Sequence, residues 1–378
     1  MPVLTGLDVL TAEDCRTLLR QRVGVITNHT AITRDRRHIL DILLQAGVEV
    51  VALFGPEHGI RGDHDEGRRV DSGTDEQTGL QVHSLFSTEL RPHPETLAGI
   101  DTLVFDIADV GIRYYTYTTT MAYCMEEASW LDVRFVVLDR PNPITGVAVD
   151  GPVMEPAFGD LVSYHPIPTR HGLTAGELAQ YANSEYGMNC NLEVVPCRGW
   201  ERSMWFDETG LPWVNPSPNL RNLNQTTLYA ALAGIEFSEV SVGRGTQMPF
   251  ELLGAPYFDA LEVAERLNAL PDCHLRFVPV EFTPQGHAFS GELCQGCFVL
   301  TTDRDRLRPA EANVRIAYEL RKLYPRRFDV TKSQKLLGGQ EVAEAIKKGR
   351  REPEKIIADW KPKVDDYLRR RKRYLLYG

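Results

Sequence analysis

Val23-Gly24-Val25-Ile26-Thr27 runs into Asn28-His29-Thr30, an apolar stretch that ends on polar, chemically able side chains. The pattern recurs. Val50-Val51-Ala52-Leu53-Phe54 leads into Gly55-Pro56-Glu57-His58-Gly59. Thr102-Leu103-Val104-Phe105-Asp106-Ile107 leads to Asp109-Val110-Gly111 and Arg113. Arg134-Phe135-Val136-Val137-Leu138 leads to Asp139-Arg140-Pro141-Asn142. Continuous runs of this kind suit strands buried on both faces, as in a parallel sheet covered by helices. Ligands of open α/β sheets bind outside the carboxyl ends of such strands. Polar loops repeated along one edge mark that edge as the site.

Helical spacing separates the runs. Ile39, Leu40, Leu43 and Leu44 form one stripe that stops at Gly47; Met121, Met125 and Ala128 form another. The expected order is strand 22–27, helix 36–46, strand 48–54, a long loop 55–79, strand 80–86, helix 94–99, strand 101–107, helix 117–131 and strand 133–139. Alternation with short links means βαβ units. Residues 141–172 read as a Pro/Gly-rich loop. Thr174 and Glu177 form a capping box that opens a helix over 174–186, followed by a strand at 191–196. The irregular segment 199–225 carries Trp200, Trp205, Trp213 and Asn215-Pro216-Ser217-Pro218-Asn219. Such a segment is usually functional or a lid. Beyond 250 the spacing predicts helix 257–269, strands 275–282 and 293–301, and helices 309–323, 340–348 and 353–371. The fold class is α/β: a Rossmann-like parallel-sheet domain over 1–250 and a smaller α+β C-terminal domain over 251–378.

Composition narrows the function. A chain of 378 residues suits two domains at about 150 residues each. The net charge of −10 argues against a general nucleic-acid or anionic-membrane binder. The basic run Arg369-Arg370-Arg371-Lys372-Arg373 reads as a solvated face that complements a helix C-terminus. No basic n-region with an apolar core opens the chain, and no stretch approaches the ~20 residues of a membrane span. The expected compartment is the cytoplasm. The seven scattered cysteines are not expected to form a disulfide framework, and Cys294-Gln295-Gly296-Cys297 reads as two half-buried strand thiols.

Glu57 is the foremost catalytic candidate. Pro56 holds the chain extended ahead of it, and Gly59 and Gly62 let the backbone turn sharply behind it. Desolvation could fit it as a general acid, with Arg61 opposing. His58, Asp63, His64 and Asp65 are legitimate metal ligands, but their spacing matches no compact metal motif. Asp106 and Asp109 flank a strand end; either suits the second carboxylate of a hydrolase pair, and either suits a helix cap. His171 lies just before the helix that Thr174 caps. Arg244, between Gly243 and Gly245, suits a carboxylate or phosphate, since its fork binds two oxygens. No G-x-G-x-x-G follows the first strand, so a nicotinamide cofactor is not expected.

Together these residues resemble a known family. Phe54-Gly55-Pro56-Glu57-His58-Gly59, Asp109-Val110-Gly111-Ile112-Arg113-Tyr114-Tyr115-Thr116-Tyr117 and Leu138-Asp139-Arg140-Pro141-Asn142-Pro143 are similar to the NamZ-type exo-β-N-acetylmuramidases, formerly a domain of unknown function. So are Arg170-His171-Gly172, Met204-Trp205-Phe206-Asp207, Pro216-Ser217-Pro218-Asn219, Gly243-Arg244-Gly245-Thr246 and Gly291-Glu292-Leu293-Cys294. The resemblance runs from Gly6 to Tyr377. It implies a cleft between two domains and hydrolysis of terminal β-1,4-linked N-acetylmuramic acid from the non-reducing end of peptidoglycan fragments. It implies Glu57 as the catalytic glutamate, a muropeptide or disaccharide fragment as the partner, and neither NAD nor a metal.

Asp106 or Asp109 is then the expected partner carboxylate or orienter. Asn28, His58, Arg61 and Arg113 are expected substrate contacts. So are Arg140, Asn142, His171 and Asn219, with Arg244 on the lactyl carboxylate. Two positions depart from the family pattern: Ala108 where it has Gln, and Glu239 where it has Asn. Pairing of Glu239 with Arg244 would compete with an anionic sugar. A non-catalytic muropeptide-binding protein and a metal-dependent hydrolase using the His58/His64 loop are the alternatives.

Overall fold

The Thr5 hydroxyl accepts from the Asp8 N–H, and the Asp8 carboxylate accepts from the Thr5 N–H. This capping box opens α1 (Gly6–Ala12), a helix the apolar spacing did not announce. The computed structural model describes residues 2–62, 64–65, 67–155 and 160–378. After α1 come β1 (Arg22–Thr27), α2 (Ile39–Gln45), β2 (Glu49–Gly55), β3 (Gly73–Thr74), β4 (Gln81–Ser84), α3 (Pro94–Leu97), β5 (Thr102–Asp106), α4 (Thr116–Trp130), β6 (Arg134–Leu138), α5 (Ala175–Glu185) and β7 (Leu192–Val195). α2 begins three residues later than expected. Arg36 sits in the left-handed region, φ 63°, and the His38 ring accepts from the Leu40 N–H as the cap.

The seven strands form one sheet in the order β3-β4-β2-β1-β5-β6-β7. All neighbours are parallel except β3 and β4. The chain steps outward from β1 through β2 to β4. It then returns and steps the other way through β5, β6 and β7. The reversal falls between β1 and β5, where Thr27 is in register with Asp106. This is the doubly wound topology with its crevice at the switch point.

Strand alternation explains the apolar runs. Leu103, Phe105, Phe135 and Val137 face one core layer, with Met121 and Met125 of α4. Val104, Val136 and Leu138 face the other, with Leu7 of α1 and Leu43 of α2. Both faces are covered, so neither can be polar.

Next come α6 (Phe206–Thr209) and α7 (Leu223–Leu232), which the Asn222 side chain caps. The smaller unit follows: β8 (Leu252–Ala255), α8 (Ala260–Asn268), β9 (Leu275–Phe282), β10 (Cys294–Thr301), α9 (Pro309–Leu323), α10 (Gln340–Lys348) and α11 (Pro353–Arg371). Its antiparallel sheet has the order β8-β10-β9, with α8 packed on β9 and β10, and α9 on α7 and α8.

α11 carries the chain back to the first unit. The Tyr367 hydroxyl donates to the His171 carbonyl at 2.8 Å, and Arg371 donates to the Gly172 carbonyl at 2.9 Å. Arg371 is buried, which corrects the solvated reading of that position in the basic run. Arg370 pairs with Asp366 and Glu185, and Arg373 with Glu185. All seven cysteines are buried thiols, and no helix among the described residues is long and apolar enough to cross a membrane.

Candidate functional site

β2 ends at Gly55, and Pro56 delivers Glu57 to the carboxyl edge of the sheet. The loop behind it enters the left-handed region at His58, Gly59, Gly62 and Gly67. His58 has φ 70°, and Gly62 has φ 70°. A Cβ on Gly62 would lie 2.1 Å from the His29 ring, so only glycine lets the loop pass. The His58 Nδ1 bonds to the His64 carbonyl at 2.7 Å and closes the turn.

Two donors fix the Glu57 carboxylate. The Thr116 hydroxyl donates to Oε2 at 2.7 Å, and the Gly67 N–H donates to Oε1 at 2.8 Å. Thr116 is the first residue of α4, so the carboxylate stands at the positive end of that helix. Tyr115 and Tyr117 flank it. Their hydroxyls donate to the Pro216 carbonyl at 2.8 and 3.0 Å and anchor the Asn215–Asn219 segment. Burial raises the Tyr117 phenol, and the Glu57 charge raises it further.

Glu57 opens into a cavity of about 360 Å³, at the size where small-molecule sites begin. It lies between the sheet edge and the segment carrying Lys332, Lys335 and Leu336. Arg244 and Glu236 form its far wall as a half-buried ion pair: Nε meets Oε1, and Nη2 donates to Oε2 at 3.3 Å. The guanidinium stacks 4.9 Å from the Phe250 ring centroid. Gly243 makes that placement possible, with φ 81° and room for a Cβ only 2.5 Å from the Met248 carbonyl oxygen.

Of the residues expected at the site, Glu57, His58, Asn219 and Arg244 line this cavity. Asp106 does not. Its carboxylate is fully buried and bound by one edge of the Arg140 guanidinium, Nε at 2.5 Å and Nη2 at 2.9 Å, while Nη1 donates to the Ile32 carbonyl. Asp109 accepts from the Gly111 N–H at 2.9 Å and lies 3.5 Å from the His171 Nε2; its Oδ1 is buried without a hydrogen-bond partner. Asp109, Arg140, Thr30, Ala108 and Trp213 line the switch-point crevice, which the chain narrows to about 50 Å³.

The remaining candidates brace the backbone. The Asn28 side-chain oxygen accepts from the N–H and hydroxyl of Thr30. Asn142 donates to the Leu173 carbonyl and accepts from the Ile144 N–H. The His171 Nδ1 accepts from the Leu173 N–H. Arg61 pairs with Asp75 at 2.5 Å. Burial raises the Asp75 carboxyl, but bonds from Thr78 and Arg61 outweigh it and hold the group below its ordinary value. Arg113 is fully buried, donates to the Lys335 and Leu336 carbonyls, and is pushed down to about 10 by burial.

Glu239 corrects an expectation. Its carboxylate is exposed and pairs with Lys332 at 3.3 Å, so Glu236 and not Glu239 holds Arg244. Ala108 faces the crevice, away from the Glu57 cavity. Asp63, expected among possible metal ligands, and Glu66 lie outside the described residues. Among the described residues no three His, Cys, Asp or Glu side chains converge as a metal site needs. Sequence reasoning missed Thr116 and Glu236. The signal for Thr116 was its place at a helix start behind two tyrosines; Glu236 closes the apolar run after α7.

Known proteins match along the whole length. The model of the N-terminal part of the exo-β-N-acetylmuramidase NamZ matches residues 23–224, and that of its C-terminal part matches 227–377. The peptidoglycan β-N-acetylmuramidase NamZ of Bacillus subtilis (strain 168) is 40% identical over 99% of this chain and 91% of its own. Two crystal structures of DUF1343 family proteins from Bacteroides fragilis NCTC 9343 superpose with TM-scores of 0.92 and 0.80, at 35% and 30% identity. Each covers 100% of this chain and 99% of the other. With both halves matched in order and the sheet edge carrying the expected glutamate, the chain belongs to the NamZ family of exo-β-N-acetylmuramidases.

Proposed function

We propose that this protein is a glycoside hydrolase that releases terminal β-1,4-linked N-acetylmuramic acid from the non-reducing end of peptidoglycan fragments. The observation that carries the reading is Glu57, held by Thr116 and Gly67 over a cavity of sugar size, in a chain of the NamZ family. Glu57 is the proton donor to the glycosidic oxygen. Arg244 reads the lactyl carboxylate that distinguishes muramic acid from glucosamine, and His58 and Asn219 contact the sugar. The partner is a small muropeptide or disaccharide.

The catalytic unit is proposed as residues 1–250 and the smaller unit as 251–378, with α7 packed on α9 across that division. A cytoplasmic setting is supported by the seven cysteines, all free thiols.

The test is incubation with the disaccharide N-acetylmuramyl-β-1,4-N-acetylglucosamine, followed by chromatography. Free N-acetylmuramic acid should appear, and a disaccharide ending in N-acetylglucosamine should stay intact. Tight binding without release would favour a non-catalytic muropeptide-binding protein.

A further inference from the structure

Hydrolysis of a glycoside ordinarily uses two carboxyl groups flanking the bond. Asp106 and Asp109, at the strand ends, are the sequence's candidates for the second. The first is locked to Arg140, and the second lines a crevice of about 50 Å³ that does not contain Glu57. Among the described residues, the carboxylates lining the Glu57 cavity are Glu57 itself and Glu236.

Their surroundings differ in a useful way. Among the described residues, Glu57 accepts only from neutral donors, a hydroxyl and a backbone N–H. Glu236 is held by a guanidinium, and both partners expose only 14% of their side chains. The guanidinium's two-point contact fixes where the carboxylate oxygens of Glu236 point. Consecutive tyrosines connect the two groups. Burial raises both phenols; the Glu236 charge adds to the effect at Tyr114 and the Glu57 charge at Tyr115. The two carboxylates thus address the same stretch of cavity wall from different elements.

We infer that Glu236 is the second catalytic carboxylate of this site, aimed by Arg244. This rests on the muramidase reading and deepens it. As the C1–O bond breaks, the glycosidic oxygen takes the Glu57 proton. A water oxygen bonds to C1, and the proton it sheds passes to Glu236. Exchange with solvent returns both groups to their starting states. Arg244 then has two tasks: it orients Glu236, and it meets the lactyl carboxylate.

The experiment compares Glu236→Ala, Glu236→Gln and Glu57→Gln on the disaccharide and on 4-nitrophenyl N-acetylmuramide, with and without sodium azide. Glu236→Ala should lose about 10²–10⁴-fold in kcat. Azide should restore turnover and yield a glycosyl azide, detected by mass. Glu236→Gln keeps shape and hydrogen bonding, and carries the test if the alanine variant does not fold. Its loss should be similar on both substrates. Glu57→Gln should regain rate on the nitrophenyl substrate, whose leaving group needs no proton, and should form no azide product on the disaccharide. A folded Glu236→Gln with wild-type kcat, or with a change in KM alone, overturns the inference. So does a folded Glu236→Ala that azide does not rescue. A wild-type protein that leaves both muramyl substrates intact overturns the muramidase reading itself, and the inference with it.

Discussion

The Thr116 hydroxyl lies 2.7 Å from the Glu57 Oε2 and ties the end of β2 to the first turn of α4. The two residues are 59 positions apart in the chain, and the switch-point topology brings them together. Together with the Gly67 N–H bond to Oε1, this bond fixes how the carboxyl group faces the cavity.

Thr116→Val keeps the shape of the side chain and removes the donor. A hydrogen bond to a charged group is worth about 1.5–3 kcal/mol. If it aligns Glu57 for proton transfer, kcat should fall about 10- to 150-fold with KM nearly unchanged. Thr116→Ser should restore most of the rate. Steady-state kinetics decides; an unchanged kcat would make the bond incidental.

Arg244→Ala removes the partner of Glu236 and the contact proposed for the lactyl group. The first loss acts on every substrate, the second only on muramyl ones. The muramyl-to-glucosaminyl ratio of kcat/KM should therefore fall by about 10- to 150-fold beyond any common loss. Equal loss on paired nitrophenyl glycosides would leave Arg244 with the orienting role alone.

Asp106→Asn leaves the Arg140 guanidinium buried without its anion. Breaking a buried pair costs about 3–5 kcal/mol. The urea midpoint should drop accordingly, while the folded variant keeps its kcat within a few fold. A fully stable variant without activity would return Asp106 to the chemistry.

His165 sets the sign of one pH effect. Burial pushes its imidazole down from 6.5 to about 4, with the Thr118 carbonyl opposing. The unfolded chain takes up this proton near 6.5, so the stabilisation present above that pH is lost as pH falls toward 4. Asp139 and Asp150 act oppositely. Burial raises each from 3.8 to about 6, so their contribution is present below 3.8 and lost as pH rises through 6. His165→Gln removes only the first trend. Relative to the wild type, it should gain stability between pH 6.5 and pH 4.5 in urea titrations. Parallel curves would show that His165 does not titrate in this window.

Apolar runs and caps made most of the fold legible. β1, β2, β5 and β6 were readable because both faces of each strand are buried, and α5 because Thr174 and Glu177 form its capping box. α7 was not readable, since its start lies inside a Trp- and Pro-rich segment and its signal is the single cap Asn222. The site divided differently. Glu57 is read from its loop, because proline and glycine fix where it points. Asp106 and Arg140 both stand at strand ends, but their mutual pairing depends on neighbouring strands and consumes the chemistry each offered. Glu236 and Arg244 share a wall only because α7 and the turn at Gly243 close on the sheet edge.

The most direct measurement is kcat for release of N-acetylmuramic acid from the disaccharide by the wild type and by Glu57→Gln. Proton donation by a positioned acid contributes about 10²–10⁴-fold. The account predicts turnover by the wild type and a loss of that size in a variant with an unchanged melting temperature. A folded Glu57→Gln with wild-type kcat would contradict it.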